Sequence, residues 1–344
     1  MRYEVDPQKP AAYGSLTEAL EDAKRANDPA PVIHLHAGEY REKVVIEQSD
    51  VTVLGDGAGQ TRLVFGDSAH LTDENGQPLG TFRTATLRLH GDNITLRGLT
   101  VSNDAGAGEA VEQAVALYVA GDRCAVRDCE LTAHQDTLFV GPDWGPINEV
   151  TPCGRRAYFE NCVIRGNVDF MFGSYAVWLE KCTLWCVSRN QVVNAMLCAP
   201  NTPEGQRYGF VFHACRVVSD CAEGTVYLGR PWRPFGRAAF LDCDLPSCVA
   251  KEGWLDWEKP FRAVWAGLCE TAGRGTEQRH PNARRLTAAE AKEFTAEQVL
   301  SGGDGWSPYQ HNGRITMNID AYIEQYLKAY TPYKTYWNYE DGCV

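Results

Sequence analysis

Five short stretches of this chain share one frame: "VRDCELTA", "FENCVIRG", "LEKCTLWC", "FHACRVVS" and "FLDCDLPS". In each, a cysteine (Cys129, Cys162, Cys182, Cys215, Cys243) has an apolar residue three positions before it and another two positions after it. An earlier stretch, "LRGLTVSN", fits the frame with Leu99 in the cysteine slot. Successive slots lie 30, 33, 20, 33 and 28 residues apart, so a β-rich unit recurs while its loops vary. Short units at such spacing point to a solenoid. A β-solenoid fits best: coils of short strands stack into parallel sheets around a filled interior, with equivalent residues about 4.8 Å apart from coil to coil. The repeated cysteines then form an inward ladder of small, reduced side chains. A disulfide framework is the rival reading, and the odd total of thirteen cysteines without paired CxxC units weighs against it and against zinc. The Leu–Asn frame of leucine-rich repeats is missing.

The ends look different from the middle. "SLTEALEDAKRAND" opens with a Ser15–Glu18 capping box and continues with helical spacing at Leu16, Ala19, Leu20 and Ala23, which predicts a short helix over the first open coil. "TAAEAKEFTAEQVL" and "IDAYIEQYLKAY" also read as helices, packed along the outside or closing the far end, and "TPYKTYWNYEDGCV" is an aromatic-rich tail. No composition shift marks a linker, so residues 1–344 read as one domain. The expected fold is all-β: a right-handed parallel β-helix with a short N-terminal capping helix and C-terminal helices.

Composition narrows the partners. A net charge of −12 without a Lys/Arg cluster excludes nucleic acid as the default partner, and no apolar run is long enough to span a membrane. An anionic ligand would need a locally basic cleft.

The repeat frame singles out two carboxylates. Asp136, in "AHQDTLFV", lies seven residues after Cys129, and Asp169, in "IRGNVDFMFG", lies seven after Cys162. Stacking puts both in one slot on consecutive coils. A lone carboxylate in the apolar run 164–173 is costly unless paired, and two so close resist joint ionisation, so the pair marks a site. Paired carboxylates serve glycoside hydrolysis, metal binding or ester cleavage. Metal binding would need further oxygen ligands, and no dense Asp/Glu cluster supplies them. Ester cleavage needs oxyanion donors, and Gln135 beside Asp136 and Gln113 in "EQAVAL" are candidates.

At this point the chain resembles the pectin methylesterases. "QAVAL" (113–117), "QDTL" (135–138), "GNVDFMFG" (166–173) and "LGRPW" (228–232) are similar to that family's signature segments and stand in its order. "GEYREKVVI", "TFRTATLRLHGDNITLRGLTVSNDAG", "GRAAFLDC" and "EAKEFTAEQVL" extend the resemblance over roughly residues 12 to 306, with 307–344 left as a helical and aromatic extension. Four separated motifs in order are far more specific than one.

The resemblance implies a role for each matching residue. Asp169 is the nucleophile on the C6 methyl ester of galacturonate. Asp136 is the acid that protonates departing methanol and then the base that activates water. Gln113 and Gln135 hold the oxyanion, and Arg230 orients Asp169 and keeps it ionised. Thr81, Gln113, Phe139, Phe172, Arg230 and Trp232 contact the sugar chain. No metal and no cofactor is expected, and the partner is methyl-esterified galacturonan or oligogalacturonide, taken up by a monomer. Phe139 stands where the family often carries Tyr, which removes a hydroxyl. The segment 141–154 is long and is expected to form a lobe beside the cleft.

Simpler readings exist for several of these residues. Gln113 fits an internal amide ladder, Arg230 a surface ion pair, and Trp232 and Phe172 the core. Trp232, between Pro231 and Arg233, is the better candidate for an exposed stacking face. Two other classes also remain: another pectin-active or thioesterase-like hydrolase on the same solenoid, and a non-catalytic glycan-binding solenoid. The absence of a leader-like N-terminus and the unpaired cysteines lead to the expectation of a cytoplasmic enzyme acting on short oligomers, or a secreted one if a leader has been removed.

Overall fold

A computed structural model describes residues 1–143, 154–258, 268–271, 279 and 284–310. The expected helix at 319–330, the aromatic tail and nearly all of the lobe at 141–154 lie outside the described residues. Met1–His311 form one compact unit. Three parallel sheets run along it, of eleven, seven and seven strands. No helix among the described residues is long and apolar enough to cross a membrane.

Each coil visits the three sheets in turn. The clearest one runs through Arg156–Glu160 in the long sheet, Val163–Gly166 in the second and Met171–Gly173 in the third. The coil before it uses Cys124–Arg127, Glu130–Thr132 and Leu138–Val140, and pairs with it in parallel in all three sheets. The fold is the expected parallel β-helix.

The cysteine ladder follows from the register. Arg127, Glu160, Glu180, His213 and Leu241 are successive partners across the long sheet, and each stands two residues before a ladder cysteine. Cys129, Cys162, Cys182 and Cys215 are fully buried free thiols, and burial holds each of them well above the ordinary thiol pKa. Cys243, farther along, is half-buried. Between the long-sheet strand and each ladder position one residue turns the corner in a left-handed conformation: Gly98, Asp128, Asn161, Lys181, Ala214 and Asp242, with φ between 50° and 71°. Asn and Asp tolerate that conformation better than most side chains, which accounts for three of the six. The inward side chains Val126, Leu131, Phe159, Ile164, Leu179, Leu184, Phe212 and Val217 fill the interior around the ladder.

The N-terminal helix spans Leu16–Arg25 and buries Leu16, Ala19 and Ala23 against the first coils. Its capping box is only half formed. The Ser15 side chain accepts from the Glu18 amide, but the Glu18 carboxylate turns outward to accept from the Gly14 amide at 2.8 Å. The stretch 287–300 forms two short helices, Ala288–Ala291 and Ala296–Val299, each capped by a threonine, Thr287 and Thr295. They bring Phe294, Val299 and Leu300 onto the outer face of the long sheet against Tyr158, Trp178 and Tyr208.

Candidate active site

Asp136 and Asp169 both occupy the turn that leads from the second sheet into the third. The pairing of Leu138 with Met171 makes them equivalent residues on adjacent coils, and the Asp136 amide donates to the Val168 carbonyl at 3.0 Å. Asp169 therefore does not sit inside a buried strand, as the apolar run suggests. The strand begins only at Met171, and Asp169 holds the bend before it with φ 47°, as Asp136 does with φ 65°. The left-handed bend interrupts the β alternation at both positions. The start of the turn is tied to the coils on both sides, because the Asn167 amide donates to the His134 carbonyl at 2.7 Å and the Asn167 carbonyl accepts from the Met196 amide at 3.0 Å.

Arg230 arrives from two coils further on. It follows the strand Val226–Gly229, and its amide donates to the Cys198 carbonyl at 3.0 Å. Its guanidinium grips Asp169 with two nitrogens: Nε donates to Oδ1 at 2.8 Å and to Oδ2 at 3.1 Å, and Nη2 to Oδ2 at 2.6 Å. Such a fork is the strong, oriented form of a charge pair. Asp169 is 6 % exposed, and this partner is what makes the burial of its carboxylate tolerable. A glycine is required beside the arginine, since a Cβ on Gly229 would fall 2.5 Å from the Cys198 carbonyl oxygen. Trp257 lies on the other side, with its ring centroid 3.8 Å from the guanidinium carbon. The sequence reading missed Trp257. Its signal is "GWLDW" (253–257), an aromatic pair after the strand Ala238–Leu241.

Asp136 behaves differently from Asp169. Burial pushes its carboxyl well above the usual range, the Asp169 charge adds to that, and Arg230 only partly offsets it. Asp136 therefore favours its protonated form beside a carboxylate held by arginine. Two chemically identical side chains thus stand in different electrostatic surroundings.

Gln113 and Gln135 pair across adjacent coils, one position before the aspartate slot, and both are half-exposed. Trp232 is also half-exposed and meets Phe172 edge-on at 5.9 Å. Phe172 and Phe139, on adjacent strands, meet at a tilt of 48° with centroids 4.8 Å apart, and Tyr118 meets Phe139 at 90° and 4.7 Å. Phe139 and Phe172 are buried, so the aromatic faces nearest solvent belong to Trp232 and to Phe82, a residue the sequence reading passed over. Thr81 opens the short turn Thr81–Arg83 that carries Phe82 to within 5.0 Å of Phe139. The structure thus gathers Asp136, Asp169, Arg230 and the two glutamines at one edge of the third sheet, with the aromatic residues on the face of that sheet.

Fold and site together define a class: a parallel β-helix carrying two stacked aspartates, one buried with its carboxyl pKa raised and the other held by an arginine fork. Residues 5–304 match the Pectinesterase family, and the chain belongs to it. It is 31% identical over 313 residues to a probable pectinesterase/pectinesterase inhibitor of Arabidopsis thaliana, covering 86% of this chain and 50% of that protein. The chain thus spans about half the length of that relative. A pectin methylesterase from carrot superposes with a TM-score of 0.75 at 26% identity, over 92% of this chain and 98% of the other. A pectin methylesterase crystallised with a hexasaccharide gives 0.75 at 25% identity, over 89% and 98%.

Proposed function

We propose that this chain hydrolyses the methyl esters of galacturonate units in pectin or its oligomers, releasing methanol, with Asp169 as nucleophile. The observation that carries the reading is the Arg230 fork on Asp169, one coil from Asp136, whose carboxyl burial pushes well above its ordinary pKa. Membership of the pectinesterase family supports it, and so does the likeness to a pectin methylesterase crystallised with a hexasaccharide.

The chemistry follows from the contacts. Oδ2 of Asp169 accepts from two arginine nitrogens and Oδ1 from one, so Oδ1 keeps the freer lone pair and attacks the ester carbon. The carbonyl electron pair moves onto oxygen, where the Gln113 and Gln135 amides donate to it. Collapse of this intermediate expels the methoxy group, and Asp136 supplies the proton that makes it methanol. An anhydride between Asp169 and the sugar carboxyl remains. Asp136, now ionised, takes a proton from water as the water attacks the sugar acyl carbon. Galacturonate leaves, Asp169 is regenerated as a carboxylate and Asp136 as an acid. Trp232 offers a half-exposed face for the sugar chain.

Methanol release from methyl-esterified galacturonan tests the activity. A steady release that saturates with substrate is expected. The same protein should leave unesterified galacturonan uncut, and chain cleavage without methanol would favour a different solenoid hydrolase.

A further inference from the structure

Away from this site, on the outer face of the long sheet in the first coils, two imidazoles and two carboxylates converge. Glu4 in the strand Arg2–Val5 pairs with His34 in Val32–Leu35, and His36 follows two residues on, on the same face. Glu4 Oε2 lies 3.0 Å from His34 Nδ1 and 2.9 Å from His36 Nε2, and one ligand atom from each of the three residues falls within 4.8 Å of the others. Asp56, just after the third strand, Thr52–Gly55, faces the opposite nitrogens: Oδ1 is 2.7 Å from His34 Nε2 and Oδ2 is 3.5 Å from His36 Nδ1. Asp56 is itself held, since its Oδ2 accepts from the Ala37 amide at 2.8 Å.

We propose that Glu4, His34 and His36 form a binding site for a zinc-class divalent ion, with Asp56 orienting both imidazoles from behind. Metal–nitrogen and metal–oxygen bonds of about 2.0–2.2 Å in a tetrahedron set ligand atoms roughly 3.3 Å apart, so the two short separations need only small outward shifts. A carboxylate on the far nitrogen of a ligating histidine fixes its tautomer, which is the position Asp56 holds. His34 Nε2 gives its hydrogen to Asp56, leaving Nδ1 with a lone pair toward the centre. His36 turns its lone pair inward when its hydrogen resides on Nδ1, toward Asp56. Partial exposure of all four side chains leaves the fourth coordination position open to water.

A cation already lies against this cluster. Arg2 places Nη2 2.7 Å from His34 Nδ1 and Nε 2.7 Å from Glu4 Oε1. The metal displaces this exposed guanidinium, so arginine and zinc compete for the His34 Nδ1 lone pair and for the charge of Glu4. Bound zinc bridges the first two coils directly and engages the third through Asp56, stapling the N-terminal end of the helix.

Zinc chloride titrated into the full chain by calorimetry tests the site. One ion per chain is expected, with only nitrogen and oxygen neighbours in the zinc K-edge absorption spectrum. The double change His34→Ala/His36→Ala should weaken binding at least 100-fold, and Asp56→Asn about 10- to 100-fold. Arg2→Ala should tighten binding at least threefold and keeps the test decisive should the histidine variant misfold, as far-UV circular dichroism would show. Three results overturn the proposal: no stoichiometric binding below millimolar zinc, sulfur in the spectrum, or affinity unchanged or weaker in Arg2→Ala.

Discussion

Asp136 and Asp169 stand 33 residues apart in the chain and one coil apart in space, in the same left-handed turn before paired strands. A stacked coil brings such residues to within about 5 Å whatever the loops between them do. The two are not equivalent chemically, because Arg230 reaches only Asp169 with hydrogen bonds among the described contacts. Burial without an arginine fork at Asp136, and the fork at Asp169, separate the two carboxyl groups, and several consequences of the proposed roles can be measured.

The raised pKa of Asp136 fixes the sign of two effects. Its proton is needed at the start of turnover, so the alkaline limb of the pH–rate profile should belong to Asp136, with activity falling as pH rises through its folded-state pKa. Stability moves the same way. Between the ordinary carboxyl pKa and the raised one, the folded chain binds more protons than the unfolded chain, so stability falls with pH by up to about 1.4 kcal/mol per pH unit. Asp136→Asn abolishes that slope. It should therefore lose methanol release while melting at a higher temperature than the parent at neutral pH, as calorimetry at two pH values would show. A lower melting temperature at neutral pH contradicts the assignment.

Arg230→Lys keeps the charge but loses the fork. A lysine cannot present two parallel donors to Asp169, nor stack flat on Trp257. The expected loss in kcat is about 100- to 1000-fold, with KM little changed. Retention of more than a tenth of parental kcat would show that charge alone suffices.

Trp232→Ala should act mainly on substrate binding. The ring is half-exposed and meets Phe172 edge-on. KM should rise roughly three- to tenfold, in keeping with about 0.5–1.5 kcal/mol for an aromatic contact, while kcat stays within about twofold. A collapse of kcat at saturating substrate would instead place this ring at the reacting centre.

The thiol ladder predicts both a count and a cost. Eleven cysteines are free in the described residues, so thiol titration of the unfolded, non-reduced protein should find at least eleven of the thirteen reactive. Cys182→Ser puts a hydroxyl into a fully buried slot between Cys162 and Cys215 and should cost about 1–3 kcal/mol in urea unfolding. Two or more disulfides would contradict the ladder.

Much of this was legible before any coordinates, for a specific reason. Parallel stacking transmits register, so a seven-residue offset from Cys129 and from Cys162 was enough to place Asp136 and Asp169 together. Gln135 and Gln113 stand out as oxyanion donors by their place beside Asp136 and in an apolar run, whereas Arg230 follows from motif resemblance, because the separation of 61 positions between Asp169 and Arg230 crosses loops that no frame measures. The bend at Asp169 was hidden, since apolar neighbours read as strand and a left-handed turn leaves little trace in one sequence. Corner residues such as Asp128 and Asn161 did carry that trace, in a position directly before each ladder cysteine. Trp257 and the Glu4–His34–His36 cluster depend on side chains from separate coils meeting outside the repeat, where periodicity says nothing.

The measurement that bears most directly on the central claim is methanol release by Asp169→Asn against the parent, on methyl-esterified galacturonan. The amide is nearly isosteric, so far-UV circular dichroism and the β-helix should be preserved. The proposed nucleophile is gone, and kcat should fall by at least about a thousandfold. A folded Asp169→Asn protein releasing methanol within tenfold of the parental rate would contradict the account.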